Sequence, residues 1–80
     1  VLKCGINLKI ETMNANQLLA KNIRIYRKKA KLTQIKAAEI ANLSVTFWNH
    51  VENHRSSPSI ATLERMCDTI GVSVSTIFEI

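Results

Sequence analysis

The apolar positions of this chain change period after its first dozen residues. Leu2, Cys4, Ile6, Leu8 and Ile10 alternate with Lys3, Gly5, Asn7, Lys9 and Glu11. Period two is a strand signal. From there on the spacing is helical. Leu19, Ile23 and Tyr26 lie four and then three apart, which predicts a helix from about Asn16 to Ala30. Ala37, Ala38 and Ala41 form a small-residue stripe that lets a second helix cross closely. Thr33 precedes this stripe as an N-cap, because its hydroxyl can accept from backbone N–H groups without an intrahelical partner. Asn42 follows it, and Asn tolerates the left-handed conformation needed to leave a helix sharply. Leu43 plugs the turn and Ser44 caps the next helix, predicted from Val45 to about Asn53. Trp48 and Val51, three apart, face the core. Arg55–Pro58 reads as a loop. Ser59 then caps a helix to Ile70, with Ile60, Leu63, Met66, Cys67 and Ile70 turned inward and Gly71 as its stop. Ser73 or Ser75 opens a short last helix carrying Val74, Ile77 and Phe78.

The central pair of helices, LTQIKAAEIANLSVTFWNHVENHR at 32–55, has the layout of a helix-turn-helix reader, whose second helix is presented outward to the major groove. LTQ at 32–34, AEIANLS at 38–44 and VEN at 51–53 resemble the lambda-repressor and Cro type of this motif. The resemblance continues through Pro58-Ser59, Leu63 and Ile70-Gly71-Val72-Ser73 to Ile77-Phe78-Glu79, and covers roughly Leu19 to Glu79. It implies an all-α fold: a compact five-helix domain over residues 14–80 behind a short N-terminal arm, residues 1–13. There are three departures. Ala37 stands where the family usually has Leu, which predicts a lightly packed first reader helix. Asn42 stands where it often has Gly, and His54 where it usually has Gly.

The arm admits several readings. It is a loose tail, a strand that pairs with its copy across a dimer, or upstream sequence, since Met13 followed by Asn-Ala-Asn resembles a translation start.

Charge sharpens the picture. The formal net charge is +5. Lys21, Arg24, Arg27, Lys28, Lys29, Lys31 and Lys36 follow one another with no acid between them, whereas from Ser59 onward Arg65 stands against Glu64, Asp68 and Glu79. A chain polarised in this way suits a polyanion on one face.

The resemblance places the base-reading residues at Val45, Thr46, Phe47, Asn49 and His50. Thr46 offers a hydroxyl and a methyl, Val45 and Phe47 apolar contact to thymine, and Asn49 or His50 hydrogen bonds to base edges. None is Arg or Lys, so bidentate guanine reading is not available from this helix. Phe47 has the alternative of packing against the preceding helix. Phosphate contacts fall to Thr33, Gln34, Lys36, Asn53 and Arg55, with Gln34 in a first helical turn where the helix dipole favours an anion. Glu52 is an acid on a helix meant to approach phosphates. The resemblance pairs it with Arg27, which would hide its charge from DNA.

Other chemistries find little support. Cys4 and Cys67 form no CxxC and have no His at zinc-finger spacing, so both are expected as reduced thiols, Cys67 packing as a small apolar residue. His50 and His54 are four apart, but HVENH is not HExxH and no third ligand is apparent. No metal or cofactor is expected. No nucleophile elbow, glycine-rich phosphate loop or carboxylate pair suggests an enzyme. No apolar run reaches the roughly 20 residues of a membrane span, no secretory signal is visible, and a cytoplasmic location is expected.

The reading is therefore a sequence-specific transcriptional regulator, a repressor in type. It binds double-stranded DNA as a homodimer on a roughly palindromic operator, because one reader helix touches too few base pairs to specify a site. Ile77, Phe78 and Ile80 are the expected dimer contact. The alternative from another class is a protein-interaction module, as in an antitoxin of this fold, with the arm as the feature that could meet a partner.

Overall fold

In the computed structural model, residues 14–79 are described. They form α1 (Ala15–Lys29), α2 (Gln34–Ala41), α3 (Val45–Glu52), α4 (Ile60–Ile70) and α5 (Val74–Ile77). The regular structure of the described residues is all helical, as the period of the apolar positions after the first dozen residues predicts. The alternating segment and Cys4 lie outside the described residues, and so does Ile80.

Each helix begins at a residue whose side chain accepts a backbone N–H. These are Asn14, Thr33, Ser44, Ser59 and Ser73. Each such cap contributes about 1 kcal/mol. At Asn14 the arrangement is reciprocal, with Gln17 returning a bond to the Asn14 N–H. This capping box starts α1 at Ala15 rather than Asn16. Of the two serines expected to open the last helix, Ser73 does so. At the other end of the reader helix, Asn53 is the C-cap, so α3 stops at Glu52.

α1 packs on α3, α4 and α5, and α2 packs on α3 and α4. Between them lies a core of Leu19, Ile23, Trp48, Val51, Leu63, Met66, Ile70 and Ile77, joined by the stripe Ala37, Ala38 and Ala41. Ala37 is completely buried. Small side chains there let α2 lie close to its neighbours. Ile60 corrects the sequence reading. It was expected to face inward with Leu63 and Met66, yet it is 67% exposed. Ile60 is the first residue of α4, and the core side of that helix begins only at Leu63.

Ile77 is a second correction. It is fully buried and so fills the core instead of offering a surface to a dimer. Phe78, next to it, does keep exposed area. The last turn is tied down by Asn22 of α1, whose Nδ2 donates to the Ile77 carbonyl at 2.6 Å and the Glu79 carbonyl at 2.9 Å. Cys67 is buried as expected. Burial, with Asp68 and Glu64 nearby, pushes its thiol up to about 11, so little thiolate forms at neutral pH.

Candidate nucleic-acid interface

The turn between α2 and α3 is built by backbone geometry and one arginine. Asn42 takes a left-handed conformation, φ +59°. The Asn42 N–H then reaches the Glu39 carbonyl and the Leu43 N–H the Ala38 carbonyl. Leu43 turns back toward the core. Arg65 of α4 donates from Nε and Nη2 to the Ala41 carbonyl and from Nη2 to the Asn42 carbonyl, at 2.7–3.2 Å. These are carbonyls at a helix end, where the dipole favours a cation. Arg65 thus fixes the crossing of α2 and α3. Its signal in the sequence was faint: it is the one basic residue in an otherwise acidic C-terminal stretch.

α3 turns Trp48 and Val51 inward, both essentially inaccessible. Val45 and Thr46 are exposed on the outer side, and Asn49 and His50 are half-buried there. Phe47 is half-buried and packed against the core, so its alternative role is the one its surroundings favour. The expected reading face therefore gathers Val45, Thr46, Asn49 and His50 on one side of one helix.

Glu52 sits at the end of α3 and is 2% exposed. Its carboxylate accepts from Arg27 twice, Nε to Oε2 at 2.6 Å and Nη2 to Oε1 at 3.1 Å. Arg27 Nη1 also holds the Leu32 carbonyl. The expected pair between the first and third helices is present, bidentate and buried. Two further donors were not foreseen. Trp48 Nε1 reaches Oε2 at 2.6 Å and Gln34 Nε2 reaches Oε1 at 3.0 Å. Burial alone would push this carboxyl up. The bonds from Arg27, Gln34 and Trp48, with the Arg27 charge, outweigh it and hold the carboxyl below its ordinary value.

Gln34, expected at a phosphate, is also engaged within the protein. Its side chain spans from Glu52 to Asn49, whose Nδ2 donates to Gln34 Oε1 at 3.1 Å. The first N–H groups of α2 have no partner four residues back and remain suited to an anion. Thr33 is exposed, and its hydroxyl accepts from the Lys36 N–H. Lys36 lies 3.5 Å from Glu39 in an exposed pair that contributes little.

The end of α3 singles out Arg55. At three other helix ends the same pair of bonds recurs: after α1 at Lys31 and Leu32, after α2 at Asn42 and Leu43, after α4 at Gly71 and Val72. In each, the second residue is apolar and packs against the core, as this type of helix stop favours. After α3 the His54 N–H reaches Val51 and the Arg55 N–H reaches His50. Here the second residue is an exposed arginine. Asn53 beside it donates back to the Asn49 carbonyl at 2.8 Å.

Basic side chains continue along α1 and past its end. Lys21, Arg24, Lys28, Lys29 and Lys31 are all exposed. Arg24 reaches the Glu52 carbonyl at 3.4 Å, which brings this charge to the end of α3. Among the described residues, no three His, Cys, Asp or Glu side chains are grouped to hold a metal ion, and no helix is long and apolar enough to cross a membrane.

Residues 18–77 match the family model described as a helix-turn-helix domain. Over 59 residues, 74% of its length, the chain is 41% identical to the immunity repressor protein of Bacillus phage phi105. It spans 41% of that relative's length. No solved structure matches it.

Proposed function

The chain belongs to the lambda-repressor and Cro type of helix-turn-helix family, and from that premise we propose that it is a sequence-specific DNA-binding regulator of transcription, a repressor in type. The observation that carries this reading is the build of α3. Its inner side is locked by Trp48, Val51 and the buried Arg27–Glu52 pair, while Val45, Thr46, Asn49 and His50 line the outer side. A rigid helix with a polar and methyl-bearing outer side suits the major groove. Hiding the Glu52 charge under Arg27 removes the one acid that α3 would otherwise bring to phosphates.

Thr33, the first N–H groups of α2, Lys36, Asn53 and Arg55 flank that face, and we assign them to phosphates. Such contacts position the helix without reading sequence. The chain binds without catalysis in this reading and needs no cofactor. It acts as a homodimer on two half-sites, for the reason of site length given above. Of the residues first expected at the subunit contact, Phe78 is the one with exposed surface among those described.

Selection of bound sequences from a random DNA pool tests the proposal. The expected result is one two-fold symmetric site with half-sites about 10–10.5 base pairs apart, or a multiple of that. A pool that shows no enrichment over several rounds would overturn it.

A further inference from the structure

One line of hydrogen bonds runs from the buried ion pair to the outer side of α3, and its direction is determined at every step. An ionised carboxylate only accepts, while the arginine and indole N–H groups only donate. Gln34 must therefore turn its Nε2 toward Glu52, 3.0 Å away. Its Oε1 then faces the other way and accepts from Asn49 Nδ2 at 3.1 Å. Asn49 has no choice of orientation left. One Nδ2 hydrogen points to α2, and Oδ1 with the second Nδ2 hydrogen forms the remaining edge of the amide.

We propose that Glu52, acting through Gln34, sets the direction of the Asn49 amide and thereby selects adenine as the base Asn49 reads. An acceptor beside a single donor hydrogen matches the N6 donor and N7 acceptor of adenine in the major groove. Glu52 and Gln34 are positioning residues. Neither needs to touch the base. The inference rests on the proposed reading of α3 as the groove helix, and it adds what that helix prefers at one position and why.

The arrangement makes an unusual consequence testable. In Glu52→Gln the new amide nitrogen cannot replace Oε2, because Arg27 Nε and Trp48 Nε1 both donate there. It replaces Oε1, at the loss of the longer Arg27 bond, and faces Gln34. Gln34 then turns over and presents Nε2 to Asn49. Asn49 turns in response, and its NH2 faces outward. That edge suits a base offering acceptors, guanine or thymine.

The experiment measures binding of the whole chain to single-base variants of the selected site. Asn49→Ala is expected to lose discrimination at one base pair, by roughly tenfold or more if the contact is a good bidentate one. Gln34→Leu is expected to lose discrimination at the same base pair, on top of a uniform loss of affinity. Glu52→Gln is expected to move the preference there from adenine to guanine or thymine. If Asn49→Ala leaves every preference unchanged, Asn49 does not read a base and the inference falls, while selective binding by the parent keeps the broader reading standing. If Asn49→Ala erases a preference that Gln34→Leu retains, the relay is overturned. A preference for a base other than adenine at that position overturns the base assignment. Should Glu52→Gln fail to fold, Gln34→Leu, which leaves the ion pair intact, still decides. A second readout needs no DNA. The Asn49 side-chain NH2 resonances are expected to show slowed exchange in the parent and ordinary exchange in Gln34→Leu, and ordinary exchange in the parent would overturn the relay.

Discussion

Replacing Arg27 by Met is among the most severe single changes the fold suggests outside its apolar core. Arg27 and Glu52 are 8% and 2% exposed, so solvent screens their interaction little. Without Arg27, the Glu52 carboxylate keeps two of its four bonds, from Trp48 and Gln34, and no neutralising charge. Removing one partner of a buried pair destabilises by about 3–5 kcal/mol. The total stability expected for a domain of this size is about 4–12 kcal/mol, so Arg27→Met lies near the edge of unfolding. Glu52→Gln strands the Arg27 guanidinium in the same way, 8% exposed and without its counter-charge, and falls in the same range of about 3–5 kcal/mol. Combining the two relieves the stranded charge, so the double variant is more stable than the sum predicts. Urea unfolding followed by circular dichroism measures all four proteins. The pH dependence gives an independent check. The folded state holds Glu52 below its ordinary 4.5. Its contribution is therefore complete above the ordinary glutamate range and is lost as pH falls through the lowered folded value. Parent stability should decline on that acid limb more steeply than Glu52→Gln stability. Single variants as stable as the parent, or acid limbs that superimpose, would refute the reasoning.

Three further outcomes are expected. Affinity for the selected site falls with salt at a log–log slope of about −0.9 for each phosphate neutralised, and charge removal at Arg55 reduces that slope by about one; a salt-independent binding constant contradicts the phosphate assignment. His54→Gly raises stability by about 1 kcal/mol, because His54 holds a left-handed φ of +65° that penalises a side chain; thermal melts that show a loss would mean the imidazole makes a contact of its own. Arg65→Met lowers stability by about 1 kcal/mol through its charged bonds to the Ala41 and Asn42 carbonyls, and hydrogen exchange at the α2–α3 turn should rise; unchanged exchange there would remove Arg65 from the role of clamp.

The sequence made the helices, caps and most of the core readable, because these depend on neighbours along the chain. Thr33, Ser44 and Asn42 act within three residues of themselves, and Trp48 and Val51 follow from helical period alone. Ile60 was misread for want of a local fact. Period places it with Leu63, but a residue in the first turn of a helix can project beyond the core's edge. Ile77 was misread because an apolar C-terminal cluster carries no label for inside or outside. The Arg27–Glu52 pair was readable only through family resemblance. Gln34 and Asn49 as partners around it were not readable, since their bonds link residues fifteen and eighteen apart through a geometry that only packing creates, whereas the bond from Trp48 to Glu52 is a contact four apart on one helix that spacing alone allows. Asn22 belongs to the same group: a polar residue on a helix looks solvated until the chain's end is brought to it.

That contact has a consequence in time. α1 emerges from the ribosome before the other described helices, yet Asn22 waits for carbonyls 55 and 57 residues later, and Leu19 and Ile23 share a core with Ile77. At roughly 5–20 residues per second, α1 precedes its last partner by about 3–11 s. During that interval its apolar side has no complete burial. The Arg27–Glu52 contact can form once residue 52 has emerged, and the contacts of Asn22 with the last described turn close afterwards.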